Sequence, residues 1–80
     1  MIGKASIRPT AHYLMFHSDV EWELVVKTVL SPTKTRPNKR HGKNRFTYIR
    51  VSKKFVIEVH AEIDPVEQTI WIINAFRMKR

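Results

Sequence analysis

The chain has 80 residues, enough for one domain, and 42% of them are hydrophobic, a fraction typical of a folded protein. It has no cysteine, which excludes disulfides and thiolate metal sites, and no apolar run approaches the roughly 20 residues of a membrane span. Fifteen Lys and Arg against seven Asp and Glu give a formal net charge of +8, and such an excess favours a polyanionic partner, nucleic acid first.

The N-terminal part predicts a short strand and a short helix. Residues 1–9 lack the apolar core of a signal peptide, so we expect a cytoplasmic protein that does not bind membranes. Ile2–Ile7 is predicted as an edge strand or extended segment. Thr10 is a candidate N-cap for a helix over Ala11–His17, which would carry His12 on its surface.

A second helix is predicted over Asp19–Leu30. Ser18 and Glu21 have the spacing of a capping box, in which each side chain bonds the backbone amide of the other residue. The apolar residues follow the stripe of a core-facing helix, at positions Trp22, Val25, Val26, Val29 and Leu30. Pro32 ends the helix because the residue before a proline disfavours helical geometry.

The segment Thr33–Arg45 is predicted as a basic loop. From Lys34 to Lys54 the chain holds nine of its fifteen basic residues and no acid. A run of one sign is either a solvated surface or a polyanion-binding surface, and both interpretations stay open. If the second holds, the candidate nucleic-acid-binding residues are Lys34, Arg36, Lys39, Arg40, Lys43, Arg45, Tyr48, Arg50, Lys53 and Lys54.

The C-terminal half predicts three strands, Phe46–Val51, Phe55–Ile63 and Thr69–Arg77. They are rich in β-branched and aromatic residues, and the middle one alternates cleanly between apolar and polar positions. Short turns between them favour an antiparallel meander. The predicted fold is therefore α+β, with an N-terminal strand or extended segment and two helices packed on one face of a three- to four-stranded antiparallel sheet.

The register of the first hairpin decides which side chains face the helices. A three-residue turn would pair Val51 with Phe55 and leave Phe46 and Tyr48 on the face away from the helices, where they would stack bases. A shift of one residue would turn the same aromatic side chains into the core. We favour the first register because it gives Ile49 to the core.

A metal-independent ribonuclease needs groups that accept and donate a proton and cations that stabilise the charge on phosphorus. His12 is the first choice for proton transfer, because the ordinary pKa of histidine lies near neutrality. His60 is the second choice, with Glu58 as its orienting partner, and Arg77 and Arg50 would hold the phosphate. The histidines lack zinc-ligand spacing, so neither a metal nor another cofactor is predicted.

Several segments together form a recognisable pattern: His12 on a short helix, a second helix ending in Leu-Ser-Pro, Arg45–Ile49, Phe55–Val59 and Ile72–Arg77. The pattern resembles small uncharacterised domains related to the RelE/ParE toxins, in the barnase–EndoU–colicin–RelE group of ribonuclease-like folds. It covers most of the chain. In such domains the helix His and the end of the last strand are the usual site candidates. Phe16 stands where relatives commonly carry an Arg.

Three functions follow as expectations. The first is an RNA-binding domain resembling RelE-type toxins that also acts as a metal-independent endoribonuclease. The second is a non-catalytic module that binds RNA or DNA through the basic loop and the sheet face. The third is an interaction domain for an acidic, antitoxin-like protein.

Overall fold

A computed structural model describes residues 6–79, which form an α+β fold. In chain order its elements are β1 (Ser6–Pro9), α1 (Ala11–Phe16), α2 (Trp22–Leu30), β2 (Lys34–Pro37), a 3-10 helix (Lys39–His41), β3 (Arg45–Val51), β4 (Phe55–Asp64) and β5 (Thr69–Lys79). No helix within these residues has the length and apolar content needed to cross a membrane.

The described strands form one mixed sheet in the order β1-β5-β4-β3-β2. The last three strands are the predicted antiparallel meander, but β1 pairs with β5 in parallel, and β2 adds a fifth strand. The prediction of a three- to four-stranded antiparallel sheet is therefore wrong in strand number and in the direction of one pair. Of the predicted strand Ile2–Ile7, residues 2–5 lie outside the described part of the chain.

Strand β2 occupies part of the segment that we predicted as a loop. Of its residues Lys-Thr-Arg-Pro only Thr35 favours a strand, but β2 lies at the sheet edge and is exposed throughout. Charged residues and a proline are typical of edge strands, where they discourage pairing with another chain. The chain then passes through the 3-10 helix and Gly42, whose φ of 132° favours glycine, and Asn38 donates to the carbonyl of Arg45 as β3 begins.

The core lies between the helices and one face of the sheet. Tyr13 of α1 and Val25 and Val29 of α2 are buried with apolar residues of β4 and β5. The sheet contributes Ile57, Val59, Ala61, Ile72 and Ala75. Thr10 caps α1 as predicted, because its hydroxyl accepts from the amide of Tyr13, and it also bonds the carbonyl of Ile72, which ties α1 to β5.

Helix α2 begins at Trp22, three residues later than predicted, and the capping box is absent. The N-cap position is Glu21, whose side chain makes no capping hydrogen bond. Val20 is buried instead, and its carbonyl accepts a hydrogen bond of 2.6 Å from the hydroxyl of Tyr13. This contact inserts Val20 into the core and keeps the preceding residues out of the helix. Trp22 is half-buried, and its ring lies 5.5 Å from that of Tyr13.

The predicted register of the first hairpin is wrong by one residue. Val51 pairs with Val56, so Tyr48 lies opposite Val59 and packs against the core. The turn has only two central residues, Lys53 and Lys54, and neither has a positive φ, which is why it needs no Gly or Asn. The hydroxyl of Ser52 supports the turn by donating to the carbonyl of Phe55.

Strand β5 contains a bulge that breaks its alternation. Ile72 pairs with Ala61 and Asn74 with His60, so Ile73 is an extra residue between them. A bulge re-phases the strand beyond it. Ile72 and Ala75 therefore both face the core, whereas Asn74 faces the other side.

Candidate nucleic-acid interface on the open face of the sheet

The face of the sheet opposite α2, here called the open face, has no helix of residues 6–79 packed across it. Directly paired residues of neighbouring strands share a face, so the register assigns its members. They are Ser6 and Arg8 of β1; Thr69, Trp71, Asn74, Phe76 and Met78 of β5; Val56, Glu58, His60, Glu62 and Asp64 of β4; Arg45, Thr47, Ile49 and Val51 of β3; and Lys34 and Arg36 of β2.

Three polar side chains form a hydrogen-bonded row at the centre of the open face. The Nε2 atom of His60 lies 2.6 Å from Oε2 of Glu58, and its Nδ1 atom lies 3.1 Å from the side-chain amide nitrogen of Asn74. Because that amide nitrogen donates, Nδ1 accepts and Nε2 donates to the carboxylate. The side chains of His60 and Glu58 are 22% and 28% exposed, so the row is held in place yet reachable from solvent.

The row contains the contact between His60 and Glu58 that an orienting role for Glu58 requires, and the role itself stays a prediction. Residues two apart in a strand share a face, which is why the sequence alone indicated this contact. The second partner, Asn74, comes from β5 and depends on the register between β4 and β5. The end of the last strand was singled out in the sequence, but its contact with His60 was not predicted.

The three acids of the open face are all bound by partners. Asp64 accepts from the backbone amides of Val66 and Glu67 in the turn that follows β4. Glu62 accepts a hydrogen bond of 3.0 Å from Arg45, and Glu58 is bonded to His60. Four cations share this face, Arg8, Lys34, Arg36 and Arg45. The open face is therefore cationic at its β2 side and carries no unpartnered acid among the described residues.

Seven exposed basic residues lie on β2 and in the segments just before and just after β3. This basic track contains Lys34, Arg36, Lys39, Arg40, Lys43, Lys53 and Lys54, all exposed. Lys39 to Lys43 precede β3 and Lys53 follows it, so the two ends are separated by a seven-residue strand, about 20 Å long at 3.3 Å per residue. The described part of the track contains no acid.

Two candidate nucleic-acid-binding residues lie on the helix-covered face instead. Tyr48 packs against the core, and burial raises the pKa of its hydroxyl. The guanidinium of Arg50 donates a hydrogen bond of 2.7 Å to the carbonyl of Ser31, at the C-terminal end of α2. The one-residue shift in register moved both side chains away from the open face, so stacking on Tyr48 there is wrong.

The other two predicted catalytic residues, His12 and Arg77, do not contact the row. His12 is exposed on α1, where its ring contacts those of Phe16 and His17 at 5.0 and 5.1 Å. Arg77 lies on the helix-covered side, with its guanidinium 5.9 Å from the ring centroid of Phe55 and 3.9 Å from Glu21. Of the four predicted catalytic residues, only His60 and Glu58 are therefore in contact with each other.

An aromatic chain joins α1 to the row. The ring of His17 meets that of Phe76 edge-on at 5.0 Å, and Phe76 meets His60 at 5.5 Å. Sequence reasoning assigned no role to His17 and placed Phe76 and Trp71 in an apolar strand. The exposure of Phe76 and Trp71 follows from the bulge and from the absence of a covering helix in the described part of the chain. The residue pattern reveals neither feature.

A cleft of about 440 Å³ opens beside this chain. It lies between the C-terminal end of α1 and the outer edge of β5, which β1 pairs only as far as Ile72. Phe16, Phe76 and Glu58 are among its lining residues. Within residues 6–79, no three His, Asp or Glu side chains lie close enough together to hold a metal ion.

Comparison of the chain with protein-family models, with curated proteins and with solved structures finds no match. The resemblance to RelE-type domains therefore rests on the sequence pattern alone.

Proposed function

We propose that the protein binds single-stranded RNA, with the phosphates along the basic track and the bases on the open face. The observation that carries this proposal is the position of the basic track beside an uncovered sheet face. Lys34 and Arg36 belong to both surfaces, so a strand that follows the track can turn its bases toward the sheet.

The open face supplies what sequence-tolerant binding of single strands requires. Proteins of this kind combine a positive groove with aromatic rings on which bases stack. Trp71 is partly exposed and Phe76 is 39% exposed, and both lie on the open face of β5. They lie on either side of Asn74, which supplies polar contacts between the two rings.

The proposal is tested by binding of labelled single-stranded RNA at several salt concentrations. If six to ten phosphates are contacted, raising salt from about 50 to 200 mM reduces the affinity roughly 10³- to 10⁵-fold. Arg36→Glu should weaken binding strongly. Lys27→Glu makes the same change of charge at an exposed position of α2 and should have little effect. Equal losses in both variants would show that net charge alone attracts the RNA.

A second candidate function is metal-independent cleavage of the bound RNA, and the 2.6 Å contact between His60 and Glu58 favours it. In this mechanism the 2′-oxygen attacks the adjacent phosphorus and loses its proton, the bond to the 5′-oxygen breaks, and that oxygen takes up a proton. A cyclic 2′,3′-phosphate and a free 5′-hydroxyl result. In this proposal His60 takes the proton at Nδ1, where the 2′-hydroxyl replaces the side-chain amide of Asn74, and Glu58 orients the ring through Nε2.

Cleavage is tested with a labelled RNA pool in EDTA. Losing a general acid–base group lowers the rate about 10²- to 10⁴-fold. We expect that loss for His60→Ala and near wild-type cleavage for His12→Ala, since His12 contacts Phe16 and His17 but not the row. Intact RNA with the wild-type protein, alongside tight binding, would leave binding as the function.

A further inference from the structure

We infer that the cleft between α1 and the edge of β5 binds one guanine base of the RNA strand. This inference rests on the proposed RNA binding and names a subsite for it. Small-ligand pockets measure about 300–1,000 Å³, and the cleft, at about 440 Å³, is at the lower end of that range.

The walls of the cleft suit the flat face of a base. Phe16 and Phe76 line it together with His17, whose ring is fixed edge-on against Phe76. Phe16 is 65% exposed. Contact of an apolar ring with water is unfavourable, so a partner that covers the ring gains free energy. Exposed aromatic groups beside a cleft are typical of ligand sites, and every base offers a π-face for stacking.

The carboxylate of Glu58 indicates which base fits. An ionised carboxylate only accepts hydrogen bonds. His60 occupies one of the two acceptor positions of Oε2, and no described residue donates to Oε1, so both oxygens can still accept from a ligand. Guanine alone presents two adjacent donors, N1–H and the 2-amino group, on its pairing edge. The other bases place an acceptor beside their donor, which a carboxylate repels.

The positive charge beside the cleft favours the binding of a nucleotide. Arg77 lines the cleft and is 44% exposed on its side chain. Its guanidinium lies over the ring of Phe55 and makes a long contact of 3.9 Å with Glu21. Its guanidinium is therefore available to the phosphate that follows the bound base. The formal charge of +8 and the basic track favour RNA over a peptide as the occupant.

The test compares oligouridine strands of one length that carry G, inosine, A, C or U at a single central position. A good bidentate contact discriminates by about 5- to 150-fold, so the G strand should bind tighter than the U strand by that factor. Inosine, which lacks the 2-amino group, should fall between them. Equal affinity for all five strands, or a preference for A or C, would overturn the inference.

Variants separate this subsite from binding in general. Glu58→Gln should remove the preference for G, whereas Glu62→Gln, on the same strand and face but outside the cleft lining, should retain it. Phe16→Ala removes an exposed ring and should weaken binding of the G strand without unfolding the protein. A preference that survives both cleft variants would overturn the inference.

The two proposals fail in different ways. If all strands bind equally, with the expected salt dependence and sensitivity to Arg36→Glu, RNA binding stands and the guanine subsite is wrong. If no strand binds, both are wrong. Capture of an extended peptide in place of RNA would also reject both.

Discussion

Strand β4 buries Ile57, Val59 and Ala61 on the helix-covered face, whereas its alternate residues Glu58 and His60 lie on the open face. The first set is packed beneath the helices, where removal of apolar surface from water stabilises the fold by about 25 cal/mol per Å². Glu58 and His60 are polar, partly exposed and joined by a hydrogen bond. One strand thus serves stability and proposed binding with alternate residues, so substitutions on the two faces should have separable effects.

The largest expected difference in stability comes from a matched pair of valines on β4. Val59 is fully buried, whereas Val56 lies on the open face and is partly exposed. Val59→Ala should lower the free energy of unfolding by about 2–3 kcal/mol, from two methyl groups at ~0.8 kcal/mol each plus a cavity. Val56→Ala should cost less than about 1 kcal/mol.

Thermal unfolding measures this difference. For a domain of this size each kcal/mol shifts the Tm by about 4–8 °C, so the two variants should be easy to distinguish. Equal losses would mean that the open face is covered in solution.

A pair of arginines gives a smaller effect and separates stability from binding. Arg50 bonds the carbonyl of Ser31 at the end of α2, and Arg50→Ala should cost about 1 kcal/mol in stability because the contact is partly exposed. Arg36→Ala should change stability by less than about 0.5 kcal/mol. The same change should reduce the slope of log affinity against log salt by about 1.

Chemical denaturation and RNA binding, measured on the same two variants, check this prediction. Weakened RNA binding by Arg50→Ala at full stability would contradict the assignment of that side chain to the helix-covered face.

The smallest effect is a dependence of stability on alkaline pH. Burial, and then the charge of Asp19, raises the pKa of Tyr13, and burial raises the pKa of Tyr48. A group with a raised pKa in the folded state contributes stability that is fully present below the ordinary value of about 10 and is lost as pH rises through the folded value. Both tyrosines of the chain lie on the helix-covered side.

The measurement is the Tm between about pH 8 and 11, and above about pH 10 it should fall less steeply for the double variant Tyr13→Phe, Tyr48→Phe than for wild type. Exposed lysines titrate in the same range but are unchanged between the two proteins. Identical pH profiles would show that the two hydroxyls are not buried.

The fold was predictable where residue patterns are strong. The period-two alternation of β4 assigned its two faces, and Thr10 marked the start of α1. Strand β2 was not predictable, since Lys-Thr-Arg-Pro becomes a strand only because β3 offers a partner. The start of α2 depended on the hydrogen bond from the hydroxyl of Tyr13 on α1 to the carbonyl of Val20, which overrode the capping signal of Ser18 and Glu21.

The candidate site was predictable only in part, for the same reason. His60 and Glu58 lie two apart on one strand, so their contact needs no tertiary information. The bulge at Ile73 lies in a run of uniformly apolar residues, where nothing marks the extra residue. It re-phases the strand, so that Asn74 and Phe76 share the open face with Trp71.

The most direct test of the division between the faces is amide NMR of isotope-labelled protein during titration with single-stranded RNA. The account predicts chemical-shift changes along residues 34–43 and at Trp71, Asn74 and Phe76, with the amides of α2 little changed. Changes concentrated on α2, with the open face and the basic track unaffected, would contradict it.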